Sequence, residues 1–130
     1  ALVIDYGHAK SDVGETLQAL GRHGFAHPLV APGTVDLTAH VDFQALAIAV
    51  ESMGARVHGP IDQGQFLRNL GIEKRAAALK SVLTGDKLLE IDAAVARLTG
   101  NDRNAMGRLF KAMAIADPNL GELPAFEASE

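Results

Sequence analysis

The hydrophobic pattern of the chain opens on a short, unbroken apolar run that ends in polar residues. Leu2-Val3-Ile4 is followed directly by Asp5-Tyr6-Gly7. An apolar run of this length is typical of a strand that is buried on both faces, as in a parallel sheet. Ligands in open α/β sheets bind beyond the carboxyl ends of such strands, so Asp5, Tyr6 and His8 stand at a candidate site.

A stretch with little helical periodicity runs from residue 9 to residue 36. Glycine and proline residues interrupt it at Gly14, Gly21, Gly24, Pro28, Pro32 and Gly33. Glycine and proline at this density predict a loop between the first strand and the helix that follows, with a short strand over residues 16–20. A connection this long in a compact domain is usually functional or mobile.

The clearest predicted element is a helix over residues 43–53. Asp42 is a good N-cap residue, and Gly54 is the expected left-handed residue after the last turn. Apolar residues recur on one face at helical spacing, at Phe43, Leu46, Ala47, Val50 and Met53. One side of this helix should therefore pack on a sheet.

The second half of the chain alternates strand and helix patterns. It predicts a strand over 57–61, a helical turn over 65–70, helices over 73–84 and 86–99 with Asp86 as the N-cap of the second, and a strand over 109–116. Leu88, Ile91, Val95 and Leu98 form one apolar stripe, which should face a partner. The tail over 121–130 ends without a cap and is expected to be mobile.

This order of elements is that of an α/β protein. The predicted strands are too few for a covered parallel sheet, and the first strand would be an exposed edge. The chain also begins directly with a strand and has no Met at its first position. We therefore expect residues 1–130 to be a fragment of a single domain, whose missing strands precede Ala1.

Composition and charge narrow the classes of function. The net charge of −4 is spread along the chain, which argues against a nucleic-acid surface with its clustered Lys and Arg. The chain has no Cys, so disulfides and thiolate chemistry are excluded. No apolar run approaches the roughly 18 residues of a membrane helix. A cytoplasmic protein without membrane contact is expected.

The densest group of polar side chains lies at residues 36–43, which read DLTAHVDF. It brings Asp36, Thr38 and His40 together just before the predicted helix. Core packing does not need a carboxylate, a hydroxyl and an imidazole this close together, whereas a site that handles a proton, a cation or a metal does. A purely structural interpretation also stays open, in which Asp36 caps a turn after Gly33 and His40 forms a hydrogen bond with a backbone carbonyl. Asp42 is assigned to helix capping.

Two further groups carry weaker signals. Gln63 and Phe66 follow the strand predicted over 57–61, where they either line a pocket or simply start a helix. His23 and His27 have the i, i+4 spacing of a metal pair, but a glycine and a proline between and beside them disfavour a helix there. No metal site is expected.

Several segments match one family, in the family's order and along nearly the whole chain. They are ALVIDYG at 1–7, TLQAL at 16–20, RHGFAHPL at 22–29, PGTVDLTAHVDFQAL at 32–46, GPIDQGQFLRNLGI at 59–72, RLT at 97–99 and MGRLFKAMAI at 106–115. On these motifs the chain resembles the MidA-type class I S-adenosylmethionine-dependent methyltransferases. The eukaryotic members of that family are the mitochondrial complex I assembly methyltransferases.

The resemblance implies the carboxyl-terminal part of a Rossmann-like methyltransferase sheet. Residues 2–4 would be its fifth strand, 57–61 its sixth and 109–116 its antiparallel seventh, with a helical insertion over 65–105. The family binds S-adenosylmethionine with a glycine-rich turn after the first strand. No G-x-G-x-x-G occurs in this chain, so the cofactor-binding residues are not assigned to it.

The resemblance also implies a chemistry, which is methyl transfer from S-adenosylmethionine to an arginine of a protein substrate such as a respiratory complex subunit. Asp36 would balance the charge of the guanidinium, and His40 would accept or orient a proton. The residues expected to contact the substrate are Asp5, Tyr6, Thr38, Gln63 and Phe66. A homodimer is left open, and a eukaryotic member would reside in the mitochondrial matrix.

Two rival hypotheses belong to other classes of protein. In the first, the chain is a non-catalytic protein-interaction module that acts as an assembly factor, and the apolar stripe over residues 88–98 docks a partner. In the second, a small hydrolase holds a metal ion with His23, His27 and His40.

Overall fold

The chain forms two β-sheets and a group of helices. The computed structural model describes residues 1–21, 24–30, 33–102 and 105–127. Seven strands and four helices occur in these ranges, and helices connect the strands of the larger sheet, which confirms the α/β class expected from the sequence. No helix in these ranges is long and apolar enough to cross a membrane.

The larger sheet has four strands. They are β1 (Leu2–His8), β5 (Val41–Asp42), β6 (Arg56–Asp62) and β7 (Phe110–Ala116), in the spatial order β5-β1-β7-β6. Strand β7 lies between β1 and β6 and runs antiparallel to both, whereas β5 pairs in parallel with the end of β1. The antiparallel last strand that the family resemblance predicts is therefore confirmed.

Strand β1 is less buried than its apolar run predicts. Leu2 is 52% and Ile4 is 41% exposed, so the prediction of burial on both faces is wrong. Leu2 and Ile4 point to the same face of the strand, and this face is partly open at both residues. Among the described residues, the second strand that pairs with β1, besides β7, is the short β5, which reaches only Gly7 and His8.

The smaller sheet is built from the stretch that the sequence describes mostly as a connection. Its strands are β2 (Gln18–Gly21), β3 (Gly24–Ala26) and β4 (Asp36–Thr38), all antiparallel, in the order β3-β2-β4. The strand predicted over 16–20 is present but begins two residues later. The other two were missed because segments of three residues carry too little periodicity to be recognised.

Helix α1 (Phe43–Ser52) matches the predicted helix except at its end, since Met53 is the C-cap and is 86% exposed, outside the packed stripe. The Oδ1 atom of Asp42 accepts a hydrogen bond from the backbone N–H of Ala45 at 2.9 Å, which confirms the N-cap. Gly54 has the expected left-handed backbone, with a φ of 82°. The helix packs against β6 and β1 and buries Phe43 completely.

Three helices lie between β6 and β7, namely α2 (Gln63–Asn69), α3 (Ile72–Lys80) and α4 (Asp86–Thr99). Helix α3 ends four residues before the predicted Thr84, because the chain already turns at Ser81. Asp86 is not the N-cap of α4. Gly85 occupies that position with a φ of 67°, and Asp86 lies in the first turn, where its charge still favours the helix dipole.

The apolar stripe of α4 faces a neighbouring helix of the same chain. Ile91, Val95 and Leu98 line an apolar cleft of about 190 Å³ together with Ile72 and Leu79 of α3. The predicted partner of the stripe is therefore helix α3.

A core cluster joins α2 to the last described segment of the chain. Phe66, Ala112 and Ala125 are buried together, and Ile61, Leu67 and Phe126 pack against them. The tail predicted to be mobile thus contains residues that pack in the core as far as Phe126. Residues 128–130, which the same prediction covers, lie outside the described ranges.

Candidate active site

A cavity forms where the end of β1 meets the smaller sheet. Its volume is about 330 Å³, and it is lined by Tyr6, Gln18, Leu20, Thr38, His40, Leu109 and Phe110. Tyr6, Thr38 and His40 are candidate site residues from the sequence, and the fold brings Tyr6 together with the other two although it is far from them in the chain.

Aromatic rings form one wall of this cavity. The ring of Tyr6 stands edge-on to that of Phe110 with the centroids 5.5 Å apart, and edge-on to that of His40 at 5.7 Å. The ring of His8 lies 5.3 Å from that of His40. Because the faces of aromatic rings attract cations, this wall suits a positively charged ligand.

Gly7 allows strands β1 and β5 to approach each other closely beside the cavity. It pairs with Val41, and a Cβ atom at this position would collide with the backbone carbonyl oxygen of Val41. The missing side chain lets β5 lie against β1, which places His40 beside Tyr6. The backbone N–H of His40 donates to Oγ1 of Thr16 at 3.2 Å and holds this segment in place.

The smaller sheet places Asp36 and Thr38 on one face. Thr38 lies opposite Gln18, and Asp36 lies opposite Leu20. Residues two apart on a strand point to the same side, and Gln18, Leu20 and Thr38 all line the cavity. Asp36 therefore shares this face and is exposed. It lies opposite Leu20 but is not itself one of the residues that line the cavity.

Asp5 points away from the cavity. Alternation along β1 puts its side chain on the face opposite to that of Tyr6, across from Lys111 of β7. Its carboxylate accepts a hydrogen bond from the backbone N–H of Tyr6 at 2.8 Å. This geometry gives no support to the predicted contact of Asp5 with a substrate.

Gln63 and Phe66 are engaged in the packing of α2. Gln63 is 6% exposed, and its Nε2 atom donates to the carbonyl oxygen of Leu98 in α4 at 2.9 Å. The ring of Phe66 lies 5.2 Å from that of Phe126 in the core cluster. These contacts account for both side chains structurally, and their contact with a substrate stays a prediction.

Hydrogen bonds lower the pKa of Asp42 below its ordinary value of 3.8. The main cause is the backbone N–H of Ala45, and the Ser11 side chain and the nearby His8 act in the same direction. A carboxylate that is held ionised at the start of a helix serves as a cap. Asp42 is therefore not the base of the site.

The described histidines do not assemble a metal site. No group of three or more His, Asp or Glu side chains in the described ranges could hold a metal ion. The Nδ1 atom of His27 accepts a hydrogen bond from the backbone N–H of Leu29 at 3.2 Å. His23, the other member of the predicted pair, lies outside the described residues.

Sequence reasoning missed four of the lining residues, namely Gln18, Leu20, Leu109 and Phe110. Gln18 and Leu20 lie on β2, whose pairing with β4 is not visible in so short a segment. Phe110 lies in the predicted antiparallel last strand, which is the one signal that pointed toward it. Its pairing with Tyr6 depends on the register of β7 with β1, which the structure provides.

Structural similarity defines the class of the fold. A crystal structure of an uncharacterized protein from Burkholderia thailandensis has a TM-score of 0.82 at 32% identity, covering 98% of this chain and 35% of that one. A second crystal structure, of a member of the same superfamily from that organism bound to S-adenosyl-homocysteine, has a TM-score of 0.79 at 32% identity over 98% and 34% of the two chains. The sheet is Rossmann-like, of the kind found in methyltransferases.

Sequence comparison gives the family. Residues 1–61 match the family described as "Putative S-adenosyl-L-methionine-dependent methyltransferase". The chain is 37% identical to the Drosophila melanogaster "Protein arginine methyltransferase NDUFAF7 homolog, mitochondrial" over 117 residues. The aligned segment covers 88% of this chain and 26% of the relative. It is 43% identical to the Homo sapiens "Protein arginine methyltransferase NDUFAF7, mitochondrial" over 79 residues. This aligned segment covers 61% of this chain and 18% of the relative. The chain belongs to the MidA-type methyltransferase family, as its motifs predict, and spans about a quarter or less of the length of these relatives.

Proposed function

We propose that the chain supplies the acceptor side of the active site of an S-adenosylmethionine-dependent protein arginine methyltransferase. The observation that carries this proposal is the cavity, on which two of the family's motifs converge through Tyr6, Thr38 and His40. Both motifs lie within residues 1–61, which match the methyltransferase family. The relative bound to S-adenosyl-homocysteine supports S-adenosylmethionine as the cofactor.

The reaction is a single displacement. The acceptor nitrogen forms a bond to the methyl carbon while the carbon–sulfur bond breaks, and a proton leaves the nitrogen. S-adenosylmethionine supplies the methyl group when it is bound. Its binding residues are not assigned to this chain, because the chain contains no G-x-G-x-x-G segment. Such a displacement depends on alignment and exclusion of water more than on covalent help, so the described residues act by holding the acceptor.

The cavity has the groups that a guanidinium requires. The faces of Tyr6 and Phe110 attract the cation, and the side chains of Gln18 and Thr38 offer oxygen atoms as hydrogen-bond acceptors. The exposed Asp36 balances the positive charge, since a carboxylate matches the fork of a guanidinium.

His40 is the group best placed to take the proton. Its ring lies in the cavity wall beside Tyr6, and its backbone is held by Thr16. A neutral imidazole has one nitrogen free to accept a proton. The proposal therefore assigns the base to His40 and the charge balance to Asp36.

The substrate is proposed to be a protein, because the relatives are named protein arginine methyltransferases. Their names also place them in mitochondria, which supports a mitochondrial matrix location for a eukaryotic protein. A respiratory complex subunit as the acceptor is proposed from the family resemblance. A homodimer and the lack of nucleic-acid binding stay predictions from the sequence.

The test is methyl transfer by the full-length protein. With methyl-labelled S-adenosylmethionine and an arginine peptide, the wild type should transfer label, and His40→Ala should lower kcat about a hundredfold. His27→Ala is the matched control, since His27 is exposed and lies outside the cavity, and it should keep full activity. Failure of the wild type to bind S-adenosylmethionine in calorimetry would refute the methyltransferase proposal. An active His40→Ala would refute the role of His40 alone.

A further inference from the structure

The face of the smaller sheet that carries the cavity continues beyond it. Leu20 lies opposite Phe25 of β3 on one side and opposite Asp36 of β4 on the other. Directly opposed residues on neighbouring strands point to the same face, so these three side chains form one row across the sheet. Phe25 is 78% and Leu20 is 40% exposed, which leaves apolar surface open beside the cavity.

This row, the Phe25 platform (Phe25, Leu20 and Asp36), shares Leu20 with the cavity lining and lies next to the row formed by Gln18 and Thr38. Gln18 and Thr38 stand two residues along the same strands, which is a distance of about 7 Å. An extended peptide repeats its side chains on one side with the same spacing of two residues. A segment that places one side chain in the cavity can therefore place the side chain two positions away on the platform.

We propose that the Phe25 platform contacts the side chain that lies two positions from the methylated arginine in the substrate. The platform favours an apolar side chain at that position. The inference rests on the proposed function and names the specificity of the same site. The occupant is an extended segment of the protein substrate that carries an arginine and, two positions away, an aliphatic or aromatic residue.

Charge and exposure on the platform match this occupant. Asp36 provides an exposed negative charge at one end of the row, where it complements the positive charge of the arginine. Phe25 and Leu20 provide the apolar end, which an apolar side chain of the peptide would cover. The other face of the same sheet differs, since Leu37 of β4 lies there opposite Ala19 and does not border the cavity.

The experiment uses an oriented peptide library with one fixed arginine and random flanking positions. With S-adenosylmethionine, the full-length protein should yield methylated peptides enriched in leucine, isoleucine, valine and phenylalanine two positions from the arginine, roughly tenfold over glycine. Phe25→Ala should abolish this enrichment. Leu37→Ala is the matched control, because Leu37 is also exposed, at 58%, but lies on the opposite face. Peptides methylated by this variant should show the same enrichment as those methylated by the wild type.

The outcomes separate the two proposals. Methylated peptides without a preference at either position, or a preference that persists in Phe25→Ala, would overturn the platform and leave methyl transfer intact. A wild type that methylates no peptide in the library would count against the proposed function and against the platform with it. Equal melting temperatures of the two variants would show that a lost preference is not a loss of folding.

Discussion

At the scale of single residues, Gly7 allows strand β5 to pack closely against β1 beside the cavity. In Gly7→Ala the new methyl group would meet the backbone carbonyl oxygen of Val41, so β5 would have to move away from β1. Overpacking of this kind costs about 1–3 kcal/mol, and we expect a loss of that size in the free energy of unfolding measured with denaturant. Gly121→Ala is the control, because a Cβ atom there has nothing within 4 Å. Equal stability of the two variants would contradict the close approach of the strands.

Asp42 gives a prediction that depends on pH. Its pKa in the folded chain is lowered below 3.8, chiefly by the N–H of Ala45, so the ionised carboxylate stabilises the fold. This contribution is complete above pH 3.8 and is lost as the pH falls through the lower pKa of the folded state. The melting temperature of Asp42→Ala should therefore lie below that of the wild type near neutral pH, and the gap should narrow in acid.

Asp42→Asn provides the comparison for this pH dependence. Asparagine caps helices about as well as aspartate but does not titrate. Its melting temperature should stay above that of Asp42→Ala by a margin that does not change with pH. A gap between the wild type and Asp42→Ala that is equally constant would show that the charge of Asp42 contributes nothing.

At the scale of elements, polar contacts fix helix α2 against its surroundings. Gln63 bonds to the carbonyl oxygen of Leu98. Arg68 donates from Nη2 to the carbonyl oxygen of Thr99 at 2.9 Å, and Asn69 donates from Nδ2 to that of Ala125 at 2.9 Å. Helix α2 thereby ties α4 and the last described segment to the larger sheet.

Gln63→Ala tests whether this residue serves the fold or the substrate. Removing a buried amide leaves the carbonyl oxygen of Leu98 without this donor, which should lower the free energy of unfolding by about 1–3 kcal/mol. Gln65→Ala is the matched control. Gln65 is exposed and bonds only within α2, to Asn69, so its change should stay within about 0.5 kcal/mol. A Gln63→Ala protein of unchanged stability but raised KM for the arginine peptide would instead favour the predicted substrate contact.

At the scale of the whole molecule, the arrangement of helices bears on the choice between an enzyme and an interaction module. The apolar stripe that the module hypothesis needs for a partner faces α3 of the same chain, and Ile91, Val95 and Leu98 are partly buried there. The cavity is lined by residues from both sheets, among them three candidate site residues, Tyr6, Thr38 and His40. We therefore expect the His40→Ala protein to lose methyl transfer while it still binds the protein substrate in a pull-down. A variant that loses neither property would favour the module.

Much of the fold could be predicted because its signals are local. The cap at Asp42, the stripe of α1 and the left-handed Gly54 lie within a few turns of one another, and each is a property of neighbouring residues. Two local predictions failed, namely the N-cap at Asp86 and the end of α3 at Thr84. Other predictions failed because they depend on distant partners. Leu2 and Ile4 belong to an apolar run, but their exposure depends on what packs against their face of the sheet, which the local pattern does not show.

The same division holds for the candidate site. The sequence by itself determined the α/β class and the family and singled out Tyr6, Asp36, Thr38 and His40 as candidates, because motifs and short-range patterns lie in consecutive residues. Only the tertiary structure decided which of these side chains meet, since the register of β2 with β4 and of β1 with β7 joins residues that are far apart in the chain. Strand alternation then turned Asp5 away and brought in Phe110 and Gln18, because a side chain's face depends on its pairing and not on its neighbours in the sequence.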